Sequence, residues 1–484
     1  MNVINKKIGA GVFWNLASMF MSRGASTLFM LFLARLLAPE AFGLIAMAAV
    51  VFELANTFVQ SGLGTALVQS KVVSKADLNT VFFSNLMLSG IVYAALFFSA
   101  PLVAGFYEQP ELAALIQVMG LVVFINAFKV VQTAVLTRNM NFRAQMKANT
   151  LGVVASGVLA VAAAFSDWGV WSLVVQMLSS ALVSAVILWL ASSWRPALQF
   201  STESFSRLFR FGRNLLLEGS LEVLFQNSYV MVIGRFFSAE VTGLYFFAKK
   251  ISNLISQQLT SAVQQATFPA LATLQDDNAA LLDKYRQIMQ LMMFVIAPIM
   301  AGLAGLADPL VNAFFGEKWL GAISYLQVLC VIGMLYPLHA LNINLLNVKG
   351  RSDLVLKVGV LKKIVNIMLL LLAIPCGVFA IVLSQLAGSL LALVPNTYFS
   401  SKLVGYKLTT QLADAIKPVL AGLFAAYVVG YLCRISHYPA IAELACGSLL
   451  GGMIYLLACF VLKADGLKFL IDKLKTRLPL KRHA

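Results

Sequence analysis

Four basic residues interrupt long apolar stretches of this chain: Arg23, Lys129, Lys249 and Lys250. Ionisable groups placed in hydrocarbon are costly and functional by default. Arg offers a planar fork and Lys a compact charge, and both suit phosphate oxygens. These four are therefore candidate contacts to an anionic head group. Three acidic residues, Glu53, Glu218 and Glu222, occupy similar surroundings. Glu218 and Glu222 stand one helical turn apart, which suits either proton or cation coupling or pairing with a cavity cation. A pairing of Arg23 with Glu53 is the purely structural alternative.

Uncharged polar residues recur on the same stretches at helical spacing. Asn15, Ser18, Ser22 and Ser26 precede Glu53, Thr57 and Gln60. Asn126 and Thr133 flank Lys129, and Asn214 precedes the Glu218–Glu222 pair. Tyr245, Ser252, Ser256 and Thr260 accompany Lys249, and Tyr336, His339 and Asn342 form the last stripe. Such stripes face either a polar chamber or a partner helix packed through small residues. His339 by itself reads more simply as a hydrogen-bonded structural histidine than as a ligand.

The elements that carry these residues follow from composition. Of 484 residues, 60% are hydrophobic and 12% charged. A helical membrane span needs about 20 mostly apolar residues. A soluble domain of this size cannot hide so much apolar surface. Soluble enzymes, disordered chains and nucleic-acid-binding domains are thereby excluded, and unalternating apolar runs argue against a β-barrel. The fold class expected is all-α and polytopic. Fourteen spans are predicted at 10–36, 42–68, 78–104, 112–137, 146–166, 169–192, 213–236, 241–268, 285–307, 320–346, 355–374, 377–400, 412–433 and 440–462. The five cysteines, Cys330, Cys376, Cys433, Cys446 and Cys459, fall mostly in apolar runs and include no CxxC pair, so free thiols are expected rather than a metal site or disulfide framework.

Charge placement orients the spans. With the N-terminus inside, 28 of the 36 Lys and Arg fall on inner connections and tails, four outside and four within spans. This is the cytoplasmic bias of a multi-pass protein with both termini cytoplasmic. It also accounts for the net charge of +16 without nucleic acid.

The chain also repeats itself. ARLLAPEAFGLIAMA at 34–48 lies over GRFFSAEVTGLYFFA at 234–248, with Arg35/Arg235, Glu40/Glu240, Gly43/Gly243, Leu44/Leu244 and Ala48/Ala248 in register. An offset of six spans preserves orientation, so the repeat is parallel. The expected organisation is an N-terminal lobe (1–193), a cytoplasmic linker (194–212), a C-terminal lobe (213–402), two further helices (403–463) and a basic amphipathic tail (464–484). The striped spans, the first, second and fourth of each lobe, would enclose one central polar cavity. In the tail, Leu467, Leu470, Ile471, Leu474 and Leu478 keep helical spacing among basic residues, as in a helix lying on the inner leaflet.

Several segments together resemble a known family. They are KIGAGVFWN (7–15), LARLLAPEAFGLIAMA (33–48), SGLGTALVQ (61–69), FPALATLQDD (268–277) and FGEKW followed by LQVLCVIGML (315–335). In order and spacing the chain resembles the Wzx-type polysaccharide-transporter flippases of the multidrug/oligosaccharidyl-lipid/polysaccharide superfamily, nearest to the colanic-acid type. That resemblance implies fourteen helices and two six-helix lobes in a V around a cationic cavity. It implies movement of undecaprenyl-pyrophosphate-linked oligosaccharide across the bacterial inner membrane for surface polysaccharide synthesis. No catalytic residues, metal or cofactor are then expected beyond a coupling H⁺ or Na⁺. Expected partners are the lipid-linked substrate and membrane lipids, with a polysaccharide polymerase and chain-length regulator beside them. Two rivals are a cation-coupled multidrug exporter of the same fold and a membrane polysaccharide polymerase or ligase. The cavity cations favour an anionic substrate over the first, and the short outer connections disfavour the second.

Overall fold

The structure, a computed structural model, describes residues 21–60, 62–436 and 438–469, apart from the side chains of 60, 210–215 and 217. Helices account for nearly all of them: α1 (21–36), α2 (Pro39–Gln60), α3 (Leu63–Gln69), α4 (Lys75–Tyr107), α5 (Glu111–Arg138), α6 (Phe142–Phe165), α7 (Trp171–Ala191), α8 (Thr202–Phe236), α9 (Ala239–Ala272), α10 (Asn278–Gly305), α11 (Ala307–Phe314), α12 (Ala322–Val348), α13 (Ser352–Ala373), α14 (Val378–Val404), α15 (Leu408–Ile435) and α16 (Ala440–Val461). Among the described residues, eleven helices are long and apolar enough to cross a membrane: α2, α4 to α7, α10 and α12 to α16. The helices α8 and α9 have ample length but carry charges and amides along it. Apolar faces on the outside, such as Phe98, Leu190, Leu372 and Tyr427, suit lipid rather than water.

The predicted second span, 42–68, is two helices. Gly62 opens α3, and at Gly64 a Cβ would stand 2.8 Å from Val130 Cγ1. Only glycine lets α3 lie so close to α5. The predicted seventh span starts eleven residues early, at Thr202. Ser201 caps it by accepting from the Ser204 N–H, and Glu203 follows in the first turn. Hydropathy misses this start because polar residues fill the first turns. One of them, Arg207, reaches Asp77 at 2.5 Å.

The chain divides into two compact units, Met1–Gly243 and Leu244–Ala484. In the first, α4 packs on α5, α6 on α7, and α5 on α7. In the second, the same set recurs as α10 on α12, α13 on α14, and α12 on α14. The helix α8 packs on α2, α3 and α4 within the first unit. There Gly43 and Gly243 abut reciprocally. A Cβ on Gly43 would meet Ala239 O at 1.8 Å, and one on Gly243 would meet Pro39 O at 1.8 Å. The 200-residue repeat is thus written into backbone contact as well as sequence.

Further along, the repeat continues at a second spacing. Arg138 ends α5 and Val348 ends α12; Met140 and Gly350, 210 residues apart, share positive φ of 54° and 67°. Asp167 and Gly377, again 210 apart, have φ of 60° and 89°. Additional chain accounts for the changed spacing: α11 and the short 3₁₀ turn Glu317–Trp319 stand between α10 and α12, where the first unit has a tight turn between α4 and α5.

Candidate functional site

In the first unit, α3 and α5 enclose a pocket of about 300 Å³. The α5 wall is one helical face: Asn126, Lys129, Val130, Thr133, Ala134 and Thr137. Gly64, Thr65 and Val68 of α3 close it. Behind the wall lies an apolar cluster built on Leu67, Phe82 and Val131, and Trp189 fixes α7 by donating to Phe128 O at 2.9 Å. Arg138 holds the open end of α3. Its Nη1 donates to the carbonyls of Leu67 (2.8 Å) and Ser70 (2.6 Å), groups that a helix end leaves without partners.

Lys129 is half-buried in this pocket, and its Nζ lies 3.3 Å from Ser184 Oγ of α7. Among the described residues no carboxylate pairs with it. Asn126 is buried, donates to Asn56 Oδ1 at 3.1 Å, and has no partner for its own Oδ1 among the described residues. Thr133 and Thr137 donate to carbonyls one turn back, at 2.9 and 2.8 Å, and Thr137 Oγ1 also accepts from Gln145 Nε2 at 2.9 Å. The pocket therefore offers one half-buried cation among hydroxyl and amide groups.

The second unit carries a pocket of about 800 Å³ between α9, α12 and α13. All nine lining positions of the first pocket have counterparts in it. Gly64, Thr65 and Val68 become Gln264, Gln265 and Phe268 at 200 residues. Asn126, Lys129, Val130, Thr133, Ala134 and Thr137 become Tyr336, His339, Ala340, Ile343, Asn344 and Asn347 at 210. Lys349 bonds Gln275 O and Asn278 Oδ1, tying the end of α12 to the connection after α9 much as Arg138 ties α5 to α3.

His339 replaces Lys129 but is built in. Asn396 Nδ2 lies 2.6 Å from Nδ1, and Ser389 Oγ lies 3.0 Å from Nε2. Donation by the Asn396 amide to Nδ1 leaves the ring proton on Nε2, facing Ser389.

The other expected site residues lie apart from these pockets. Arg23 is exposed on α1, and Ser22 beside it is half-exposed. Glu53 takes its bond from Asn227 Nδ2 of α8 at 2.8 Å rather than forming the Arg23 pair, and Glu222 takes one from Gln226 at 2.9 Å. Glu218 is exposed. Lys249 is half-buried; Lys250 is exposed, with its amine 5.6 Å from the Phe246 ring centroid. Tyr245, Ser252 and Asn342 are buried and satisfied by neighbouring helices, through Gln385 Oε1, Leu329 O and Gln411 Oε1 respectively. Asn15, the Gln60 and Asn214 side chains and the tail beyond 469 lie outside the described residues. The sequence reading missed Arg138 and Arg286 as structural clamps, because it assigned both to the cytoplasmic charge bias.

Helices long and apolar enough to cross a membrane, with polar pockets among them, define a multi-pass membrane protein. Residues 32–324 match the model of the family described as polysaccharide biosynthesis protein, and the chain belongs to that family. It is similar to the succinoglycan biosynthesis transport protein ExoT of Rhizobium meliloti (strain 1021), at 26% identity over 98% of this chain and 97% of that one. It is similar to the lipopolysaccharide biosynthesis protein WzxC of Escherichia coli (strain K12), at 27% over 88% and 84%. The teichuronic acid biosynthesis protein TuaB of Bacillus subtilis (strain 168) matches at 28% over 62% of each chain. In fold it resembles the lipid II flippase MurJ in an inward closed conformation, with a TM-score of 0.76 and 13% identity over 94% and 99% of the two chains.

Proposed function

We propose that this chain is a flippase for undecaprenyl-pyrophosphate-linked oligosaccharide units, working without chemical change to its substrate. The observation that carries this reading is Lys129, a cation held inside an apolar helix with no carboxylate partner among the described residues. An anion reaching this half-buried ammonium gains more from it than from a surface cation. The family membership and the transport relatives support reading that anion as the pyrophosphate of a lipid-linked glycan. Arg23 is the further cation proposed for substrate contact in the first unit, and Lys249 and Lys250 are those proposed in the second. Flipping of such a lipid by the purified protein in proteoliposomes is the direct test.

The protein is placed in the bacterial inner membrane with both termini cytoplasmic, which is the arrangement its Lys and Arg distribution favours. A single cysteine at position 143, in a background without the five native cysteines, should resist an impermeant maleimide added to intact cells. Labelling there would reverse the orientation.

Coupling is assigned to the carboxylates on α2 and α8. Glu218 and Glu222 are exposed one turn apart, and Glu53 bridges to α8 through Asn227. Glu218→Gln and Glu222→Gln are each expected to remove the response of transport to an imposed H⁺ or Na⁺ gradient. If both variants keep the normal response, coupling lies elsewhere.

A further inference from the structure

The two repeat-related pockets share a backbone register and differ in chemistry. The first presents a lysine and small hydroxyls. At the same positions the second presents amides and aromatic rings: Gln264, Gln265, Asn344 and Asn347, with Tyr336 and Phe268. It is also the larger, about 800 Å³ against about 300 Å³, despite bulkier side chains. Asn344 is 7% exposed, lines this pocket, and its Nδ2 donor has no partner among the described residues. A buried amide donor left unmade costs stability unless a ligand or water supplies an acceptor.

Each class of occupant makes a different demand. A metal or organic cation would want carboxylates, and the lining contains none. Gln264 Nε2 already donates to Ala340 O at 2.7 Å, and an apolar molecule would strand the other three amides. A small anion would want converging cations, and only Lys362 is present. Asn and Gln each offer a donor and an acceptor side by side, which matches vicinal hydroxyls. Aromatic faces suit the C–H faces of a pyranose. The volume is that of a ligand site rather than a packing defect.

We infer that the α9–α12 pocket is a saccharide site that holds hydroxyl-rich rings of the glycan, separate from the Lys129 pocket that holds the anion. This rests on the flippase reading and specifies which part of that substrate the second unit recognises. Gln265 and Asn347 form the exposed side of the site, and Asn344 lines its buried side.

The test is saturation-transfer NMR on the full-length protein in nanodiscs. The probes are lactose, cellobiose, maltose, N,N′-diacetylchitobiose and a glucuronate-bearing disaccharide, with undecaprenyl pyrophosphate binding measured in parallel. At least one disaccharide should give a transfer signal that falls at least tenfold in Asn344→Leu and in the surface double variant Gln265→Ala/Asn347→Ala. Lys129→Met should keep that signal. The double variant changes only exposed side chains, so it reports on the site even if Asn344→Leu fails to fold. No signal from any disaccharide, or a signal that survives the double variant, overturns the saccharide site. Undecaprenyl pyrophosphate binding with no sugar signal would sink this inference and leave the flippase reading standing. Absence of undecaprenyl pyrophosphate binding would count against the flippase reading itself.

Discussion

Lys129→Met is expected to weaken binding of undecaprenyl pyrophosphate by about 10- to 100-fold while leaving the fold intact. Met keeps the unbranched stem that packs along α5 and removes only the charge, so little packing is lost. The lost contact is charge-assisted, and such bonds are worth about 1.5–3 kcal/mol net, which at ~1.4 kcal/mol per decade gives that range. Lys129→Arg keeps the charge but must fit a planar fork into a pocket of about 300 Å³. It should fall between the two. Isothermal titration in nanodiscs gives the affinities, and thermal unfolding gives the control. Equal affinity for wild type and Lys129→Met would remove this residue from the head-group site.

Arg286→Ala is expected to have the largest effect on stability, about 3 kcal/mol. The Asp414 side chain is 2% exposed and joins α15 to α10 through two parallel bonds to Arg286, at 2.6 and 2.7 Å. Gln290 Nε2 and Tyr406 OH also donate to it, at 2.9 and 2.7 Å. Burial and the Asp414 carboxylate hold the Tyr406 phenol well above its ordinary range, so it stays a donor. Truncating Arg286 leaves the carboxylate buried with neutral partners only. Arg286→Ala should lower the unfolding temperature in detergent clearly more than Arg351→Ala, whose partner Asp353 is exposed. Equal shifts would show that the α10–α15 clamp carries no special weight. The double change Arg286→Met/Asp414→Leu should recover part of the loss, because it strands no charge.

Much of this architecture was legible in the residues, because the bilayer imposes a simple pattern. Apolar runs marked the long spans from α4 to α7 and from α10 to α16. The Gly43/Gly243 register marked a repeat that reappears as reciprocal backbone contact. Lys129 stood out because a cation in an apolar helix has no local explanation.

What stayed hidden depended on side chains meeting across helices. Hydropathy windows see neither the α2–α3 break at Gly62 nor the polar first turns of α8. A polar stripe looks the same whether it lines a pocket or satisfies a neighbour. Tyr245, Ser252 and Asn342 share helical spacing with true lining residues, yet Gln385, Leu329 and Gln411 take their polar atoms. The match between the two pockets needs two spacings, 200 and 210, which a single sequence offset could not reveal.

The central claim is most directly tested by reconstituting the purified protein into proteoliposomes containing a fluorescent undecaprenyl-pyrophosphate-linked oligosaccharide. A membrane-impermeant quencher added outside reads the fraction of glycan in the outer leaflet over time. With wild-type protein the inner-leaflet fraction should become accessible within minutes, and with Lys129→Met the rate should fall at least tenfold. An accessible fraction that stays at the protein-free value would contradict the assignment of this chain as a flippase.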